Sequence, residues 1–141
     1  MSTERNKTTI HRFITEVLEK GNISFINQLC APNYVNRMSG QSIESLKQIQ
    51  GLVKTAVPDW HFTTENLVAE GDEVVVRFTI TGTVTGSVMG SKTSGKAISV
   101  RGLTYYRLAN GKIVEDDPIM SQDFIQLLGV PAAALGQLGQ M

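Results

Sequence analysis

The spacing of apolar residues changes near the middle of this 141-residue chain, and that change limits the folds open to it. Before Pro58 the apolar residues recur every three to four positions, which is typical of amphipathic helices. After Trp60 they alternate, as expected for strands with one buried face. Helices first and strands afterwards indicate an α+β fold, with the helices packed on one face of an antiparallel sheet.

Three helical segments are indicated in the first half. The first has apolar residues at helical spacing over positions 10–18, and Gly21 can cap its end. The second is short and is stopped by Pro32. The third begins at Ser42, a suitable N-cap, and ends before Pro58.

Four strands are indicated in the second half. Glu70-Gly71-Asp72 predicts a tight reversal between the first two. Asn110-Gly111 predicts a type I′ hairpin turn between the last two, because both central positions of that turn need a positive φ. The strands cover 60–69, 73–84, about 97–108, and 112–117, where Pro118 ends the last one.

Glycine at position 82 permits a bend in the longest strand, so the sheet can curl over the helices and leave a concave pocket. A short last helix is expected over 121–128, closed by Gly129. We expect a single domain over residues 1–130, followed by a tail, 131–141, rich in Ala, Leu, Gly and Gln.

Charge and cysteine content narrow the function classes. Thirteen Lys plus Arg balance thirteen Asp plus Glu, so there is no basic footprint for nucleic acid or a membrane surface. Cys30 is the single cysteine, which leaves no internal disulfide. The polar first residues do not resemble a signal peptide, and no apolar run approaches the roughly 20 residues of a membrane span. We expect a cytoplasmic protein.

Four segments carry a family resemblance in the right order: CAPNYV (30–35), VPDWHFTTENLVAEGDEVVVRFTITGTVTG (57–86), GKAISVRGLTYYRLANGKIVE (95–115) and QLLG (126–129). Together they resemble the SnoaL-like polyketide cyclases, which share the cone-shaped nuclear-transport-factor-2-like fold. The resemblance implies intramolecular aldol condensation without a metal or organic cofactor, with an Asp as general acid/base.

The chain departs from the cyclase pattern in the segment IVEDDPIMSQDFIQLLG, residues 113–129. The resemblance implies a His-Trp pair after IVE, which is absent. It also implies an Asp near Met120 or Ser121, and neither residue is an acid. Asp117 and Asp123 flank that position and are the candidate catalytic carboxylates.

Both candidates also have structural interpretations. Regular alternation would place Glu115, Asp117 and Ile119 on one face of the strand and Asp116 on the other. If Asp117 faces an apolar pocket, its pKa rises and it can transfer protons; otherwise it is a solvated turn residue. Asp123 falls in the first turn of the expected last helix, where the helix dipole alone favours a carboxylate.

One face of the strand 73–84 carries a polar row, Arg77, Thr79, Thr81 and Thr83. This row is either pocket lining or a solvated outer surface. In the pocket, Arg77 would hold a substrate carbonyl or carboxylate, or stabilise an enolate, with Thr79 beside it as a ligand contact.

Amphipathic side chains supply candidate pocket walls. Tyr34 and Trp60 suit such a wall, although core packing is favoured for Trp60. Asn36 stands where similar proteins often have His; it can donate a hydrogen bond but cannot act as a base near neutral pH. Of the neighbours Tyr105 and Tyr106 one faces inward, and Tyr106 is our candidate ligand contact.

No metal or cofactor is expected. His11 and His61 lack partners at ligand spacing, and the glycines at 86, 90 and 95 do not have the spacing of a phosphate loop. Cys30 is expected to be a buried apolar filler.

Two function hypotheses remain open. One is a cofactor-free acid/base enzyme acting on a small hydrophobic carbonyl compound by aldol-type cyclisation or a related isomerase, lyase or hydrolase step. The other is a non-catalytic module that binds a small hydrophobic ligand or mediates oligomerisation. Since an open sheet face needs covering, we also expect a homodimer.

Overall fold

The computed structural model describes residues 3–37, 42–85, 87–88, 91–92 and 95–121. The helical part comprises α1 (Thr3–Phe13), a π-helical continuation (Ile14–Glu19), a 3₁₀ turn (Ile23–Phe25), α2 (Ile26–Leu29) and α3 (Ile43–Ala56). The strands are β1 (Cys30–Asn36), β2 (His61–Glu70), β3 (Glu73–Val84), β4 (Ser87–Val88), β5 (Ser91–Lys92), β6 (Lys96–Ala109) and β7 (Lys112–Met120).

The main sheet has five strands in the order β1-β7-β6-β3-β2. Neighbouring strands are antiparallel except for β1, which runs parallel to β7. The α+β class is confirmed, and the four expected strands are present, although the last continues through Pro118 to Met120 and does not end at that proline. β1 was not predicted: the short second helix ends at Leu29, and Pro32 lies in an edge strand, where its missing N–H is tolerated.

Positive backbone angles occur where the sequence predicted them. Asn110 has φ 53° and Gly111 has φ 79°, as the type I′ turn between β6 and β7 requires. Gly71, with φ 58°, reverses the chain between β2 and β3, and Gly21, with φ 71°, follows the end of the π-helical stretch. These turns fix how the strands pair and therefore which side chains share a face.

The core lies between the helices and one face of the sheet. On β3 the alternate residues Val74, Val76, Phe78 and Ile80 are buried and define this inner face. The rings of Phe13 on α1 and Tyr106 on β6 meet edge to face, with centroids 6.0 Å apart. The inner face is therefore covered by α1 and α3, and the intervening residues of each strand form the outer face.

Gly82 has a packing role in β3. A β-carbon at this position would collide with Cγ1 of Val57, which lies just after α3. Glycine is required here because the chain leaving α3 crosses β3 at van der Waals contact.

A β-bulge in β7 changes which residues of that strand face inward. Leu108 pairs with Ile113, but the next pair is Arg107 with Glu115, so Val114 is an extra residue. An extra residue reverses the alternation beyond it. As a result Asp116 is buried on the inner face, whereas Glu115 lies on the outer one.

Two expectations fall outside the described residues: the last helix, apart from Ser121, and the tail 131–141. The single domain over 1–130 stays a prediction. In the part of the chain that is described, no helix is long and apolar enough to cross a membrane.

Candidate functional site

A cavity with a volume of about 80 Å³ lies between α3 and the inner face of the sheet. Its wall is mostly apolar and aromatic, with a few polar side chains, as in sites for small organic molecules. The apolar and aromatic residues are Leu18, Leu46, Ile49, Val53, Trp60, Phe62, Phe78, Ile80, Tyr106, Pro118 and Met120, and the polar ones are Asn36, Gln50, Thr104 and Asp116.

The aromatic part of the wall is held in place by specific contacts. Trp60 Nε1 donates a hydrogen bond to the carbonyl oxygen of Leu18 at 2.6 Å, which fixes the indole against the π-helical segment. Phe62 stacks on Phe78 with 4.8 Å between ring centroids. The backbone N–H of Phe62 donates to the Glu19 carboxylate at 2.5 Å, so the start of β2 is tied to the same segment.

Asp116 places a carboxyl group on the sheet wall of the cavity. Only 7% of the residue is exposed. Thr104 Oγ1 donates to its Oδ1 at 2.6 Å, and the Tyr34 hydroxyl donates to its Oδ2 at 3.1 Å. Asn36 Nδ2 in turn donates to the Tyr34 hydroxyl at 3.4 Å. Two side-chain donors thus orient the carboxyl group.

Burial raises the pKa of Asp116 to about 6, against an ordinary value of 3.8. The hydrogen bonds from Thr104 and Tyr34 oppose this shift, and the negative charge of Asp117 adds to it. A carboxyl group with such a pKa exists in both protonation states near neutral pH, as a proton-transfer group requires. Burial also raises the pKa of Tyr34 and Tyr106 well above 10, so both phenols stay protonated.

Four of the residues proposed from the sequence lie at or next to the cavity. Asn36, Trp60 and Tyr106 line it. Tyr34 is buried behind the wall and reaches the site through Asp116. Tyr106, on the inner face of β6, is the inward member of the tyrosine pair, whereas Tyr105 donates to Glu73 Oε1 at 2.7 Å on the outer face.

Arg77 and Thr79 lie on the outer face of β3, away from the cavity, which corrects the expectation that they contact a ligand there. Arg77 Nε donates to Asn66 Oδ1 at 2.8 Å, and Thr79 Oγ1 donates to Glu65 Oε1 at 2.9 Å. The physical reason is the alternation of β3: burying Phe78 and Ile80 turns this polar row outward.

Asp117 is half-buried, pairs with Tyr105 and does not line the cavity. The bulge at Val114 is the reason, because it puts Asp116 inward in its place. The sequence carried a signal: Ile113 and Val114 are adjacent apolar residues that interrupt the alternation. Asp123, the other candidate carboxylate, lies outside the described residues.

Gln50 was not among the residues predicted from the sequence. It lies four residues after Leu46 and three before Val53, within the apolar stripe of α3. That position on the stripe was the signal, because it directs the carboxamide toward the cavity.

At the position where the resemblance implies an acid, Met120 lines the cavity with a thioether. Asp116 is four residues earlier on the same strand, which corresponds to roughly 13 Å along it. Asp116 therefore does not occupy the position of the implied acid.

Other reactive groups do not extend the site. Within the described ranges, no cluster of three or more His, Cys, Asp and Glu residues could hold a metal ion. Cys30 is buried, as expected, and burial raises its pKa to about 12, so it is a neutral thiol.

Comparison with known proteins identifies the family to which the chain belongs. A family model described as SnoaL-like polyketide cyclase matches residues 8–122, well over half of the chain. A protein provisionally assigned as a polyketide cyclase from Acidithiobacillus ferrooxidans is 26% identical, with a TM-score of 0.72 and coverage of 98% of this chain and 99% of that one.

Two further structures share the fold. A protein provisionally assigned as a SnoaL-like polyketide cyclase from Jannaschia sp. CCS1 is 24% identical, with a TM-score of 0.75 and coverage of 93% and 94%. AclR from Streptomyces galilaeus, provisionally assigned as a hydroxylase, is 23% identical, with a TM-score of 0.74 and coverage of 96% and 95%. A search of curated proteins finds no match. On the family match, the chain belongs to the SnoaL-like polyketide cyclase family.

Proposed function

We propose that this protein is an acid/base enzyme that removes and returns a proton at the carbon next to a carbonyl group in a small, largely apolar compound. Asp116 is the group that carries the proton. The observation behind this assignment is its oriented carboxyl group on the wall of an apolar cavity. Of the described lining residues, Asp116 alone has an ionisable carboxyl.

The proposed reaction begins with ionised Asp116 taking the α-proton, which leaves an enolate and a neutral carboxylic acid. The apolar wall strengthens electrostatic interactions with that enolate, because little water competes for them. Asn36, which donates to the Tyr34 hydroxyl, also lines the cavity, and its amide can redirect an N–H group to an enolate oxygen. Thr104 and Tyr34 position the carboxyl throughout.

The outcome depends on the substrate. If a second carbonyl of the same molecule lies within reach, the enolate carbon attacks it, a carbon–carbon bond forms, and the alkoxide takes the proton from Asp116. That sequence is an aldol-type ring closure. Without a second carbonyl, the proton returns to carbon and the net reaction is an isomerisation or an exchange.

The competing function is ligand binding without chemistry. It is favoured by the two hydrogen bonds that already satisfy both oxygens of Asp116, and by Met120 at the position of the implied acid. In that case the carboxyl group only organises the cavity wall.

Hydrogen–deuterium exchange separates the two functions. The probe is β-tetralone, an apolar bicyclic ketone with exchangeable α-protons, followed by NMR in D₂O. We expect Asp116→Asn to lower the enzyme-catalysed exchange rate by roughly 100- to 10,000-fold, the usual contribution of a general acid/base. The matched control Asp117→Asn should stay within about threefold of the wild type, since Asp117 lies outside the cavity.

Binding of the ketone without exchange above the buffer rate would establish the binding module instead. Full retention of exchange in Asp116→Asn would remove the role assigned to that residue.

Homodimer formation also stays a proposal. The outer face of the sheet exposes three large apolar residues, Val68, Leu103 and Ile119, which are 63%, 47% and 70% exposed. Apolar residues on one open sheet face support pairing through that face.

A further inference from the structure

Gln50 places a carboxamide on the helical wall of the cavity. The residue is only 7% exposed, and its oxygen, Oε1, is buried without a hydrogen-bond partner among the residues the structure describes. The neighbours of Gln50 on the same stripe of α3 are Leu46 and Val53, both apolar and buried. The other residues of α3 that line the cavity, Leu46, Ile49 and Val53, are apolar, so Gln50 is the polar group on this helical wall.

Such a group is costly to keep. A buried amide oxygen loses its hydrogen bonds with water and regains none here, so a Leu or Met would serve the core better. Buried polar atoms without a protein partner are rare in folded proteins, and each calls for an explanation. This one lines a cavity built for a small molecule, so a ligand can supply the missing partner.

We propose that Gln50 binds a hydroxyl or N–H group of the ligand and makes the cavity select ring compounds that carry such a donor. An amide oxygen accepts hydrogen bonds, so the matching ligand group must donate one. The ring is indicated by the aromatic wall, where Trp60, Phe62 and Phe78 offer flat surfaces.

The position of Gln50 also orients the ligand. Gln50 is on α3, whereas Asp116 is on β7 in the sheet wall. A molecule bound between them directs its donor group to the helix and its other end to Asp116. This deepens the proposed function, on which it rests for the statement that the bound molecule is also the carbonyl substrate. It describes that substrate as a hydroxylated cyclic ketone.

The test compares two probes of nearly equal shape, β-tetralone with a hydroxyl group on its aromatic ring and the same ketone with a methyl group there. Binding is measured by isothermal titration calorimetry. We expect the wild type to bind the hydroxyl probe about tenfold more tightly, the value of one well-placed hydrogen bond. Gln50→Leu should bind both probes equally.

Gln48→Leu is the matched control. Gln48 is exposed on the same helix, so the same substitution there should leave the tenfold preference intact. Gln50→Met, which keeps the length of the side chain, repeats the test if Gln50→Leu does not fold. Thermal unfolding of both Gln50 variants should be no lower than that of the wild type, because an unsatisfied buried atom is removed.

The preference for the hydroxyl probe and the α-proton exchange can be lost independently of each other. Asp116→Asn should still bind the hydroxyl probe more tightly than the methyl probe, even if it no longer catalyses α-proton exchange. Loss of exchange with this preference intact would locate the defect in the catalytic step alone. A wild type that shows no preference overturns the inference, including one that binds neither probe up to its solubility. A preference that persists in Gln50→Leu and Gln50→Met overturns it equally.

Discussion

Asp116 and Asp117 are neighbours in β7 with opposite surroundings, and they represent the two faces of the sheet. Asp116 is buried on the inner face among Thr104, Tyr34 and the cavity wall. Asp117 lies on the outer face, half-buried beside Tyr105. The same side chain therefore has a raised pKa at one position and a common surface environment at the next. The direction a strand residue points decides its chemistry more than its identity does.

Three polar residues of the outer face have side-chain partners on a neighbouring strand. Arg77 pairs with Asn66, Thr79 with Glu65 and Tyr105 with Glu73, each across neighbouring strands. Such exposed pairs contribute little and are open to water. Around the cavity, by contrast, Asp116 on the sheet is tied into a network, and Oε1 of Gln50 on α3 has no hydrogen-bond partner among the described residues. The polar groups that line the cavity, and not those of the outer face, are therefore the functional candidates.

The largest expected stability effect comes from truncating a large apolar side chain, first on the inner face and then on the outer face. Phe78→Ala on the inner face should lower the free energy of unfolding by about 3–5 kcal/mol, because it removes a buried ring and leaves a larger cavity. Leu103→Ala on the outer face, where the side chain is 47% exposed, should cost less than about 1 kcal/mol. Urea denaturation measures both. Equal losses would show that the outer face is covered in solution.

The pKa of Asp116 predicts a pH-dependent contribution to stability. The folded-state pKa, about 6, is above the ordinary value of 3.8, so the folded state holds this proton more tightly than the unfolded state does. The resulting stabilisation is fully present below the unfolded value and is lost as pH rises through about 6. The loss is on the order of 3 kcal/mol.

Comparison with Asp116→Asn isolates this contribution. Between about pH 4 and about pH 7, the variant should gain on the order of 3 kcal/mol in unfolding free energy relative to the wild type. Any fixed cost of the substitution cancels in that pH difference. Asp117→Asn serves as the control and should keep most of the wild-type pH dependence, since burial is the main cause of the raised pKa and the Asp117 charge is the smallest of its causes. If the difference in unfolding free energy between the wild type and Asp116→Asn did not change with pH, the raised pKa of Asp116 would be contradicted.

Much of the fold could be predicted because its signals are local. The change from helical to alternating spacing, and the positive φ angles at Asn110 and Gly111, follow from a few neighbouring residues. β1 could not be predicted in the same way. Its segment, CAPNYVN, contains a proline and forms a strand through its parallel pairing with β7, more than 75 residues later in the chain.

The site was only partly predictable for a related reason. Trp60 and Tyr106 were proposed as amphipathic aromatic side chains and Asn36 from the family resemblance, and all three line the cavity. Asp116 was assigned to the wrong face, because one extra residue at Val114 reverses the alternation and a bulge is set by the partner strand. The face of β3 that lines the cavity could not be predicted either, because it depends on which face of the sheet the helices cover.

Arg77 gives the smallest expected effect and the sharpest check on the division between faces. Arg77→Met removes the guanidinium but keeps much of the hydrocarbon stem, and Thr79→Val replaces a hydroxyl with a methyl group. Each should change the free energy of unfolding by no more than about 0.5 kcal/mol, since both side chains make only surface hydrogen bonds. Exchange of β-tetralone and binding of its hydroxylated form should match the wild type. If Arg77→Met instead weakened binding or exchange by tenfold or more, a ligand would reach the outer face, and the assignment of chemistry to the inner face alone would fail.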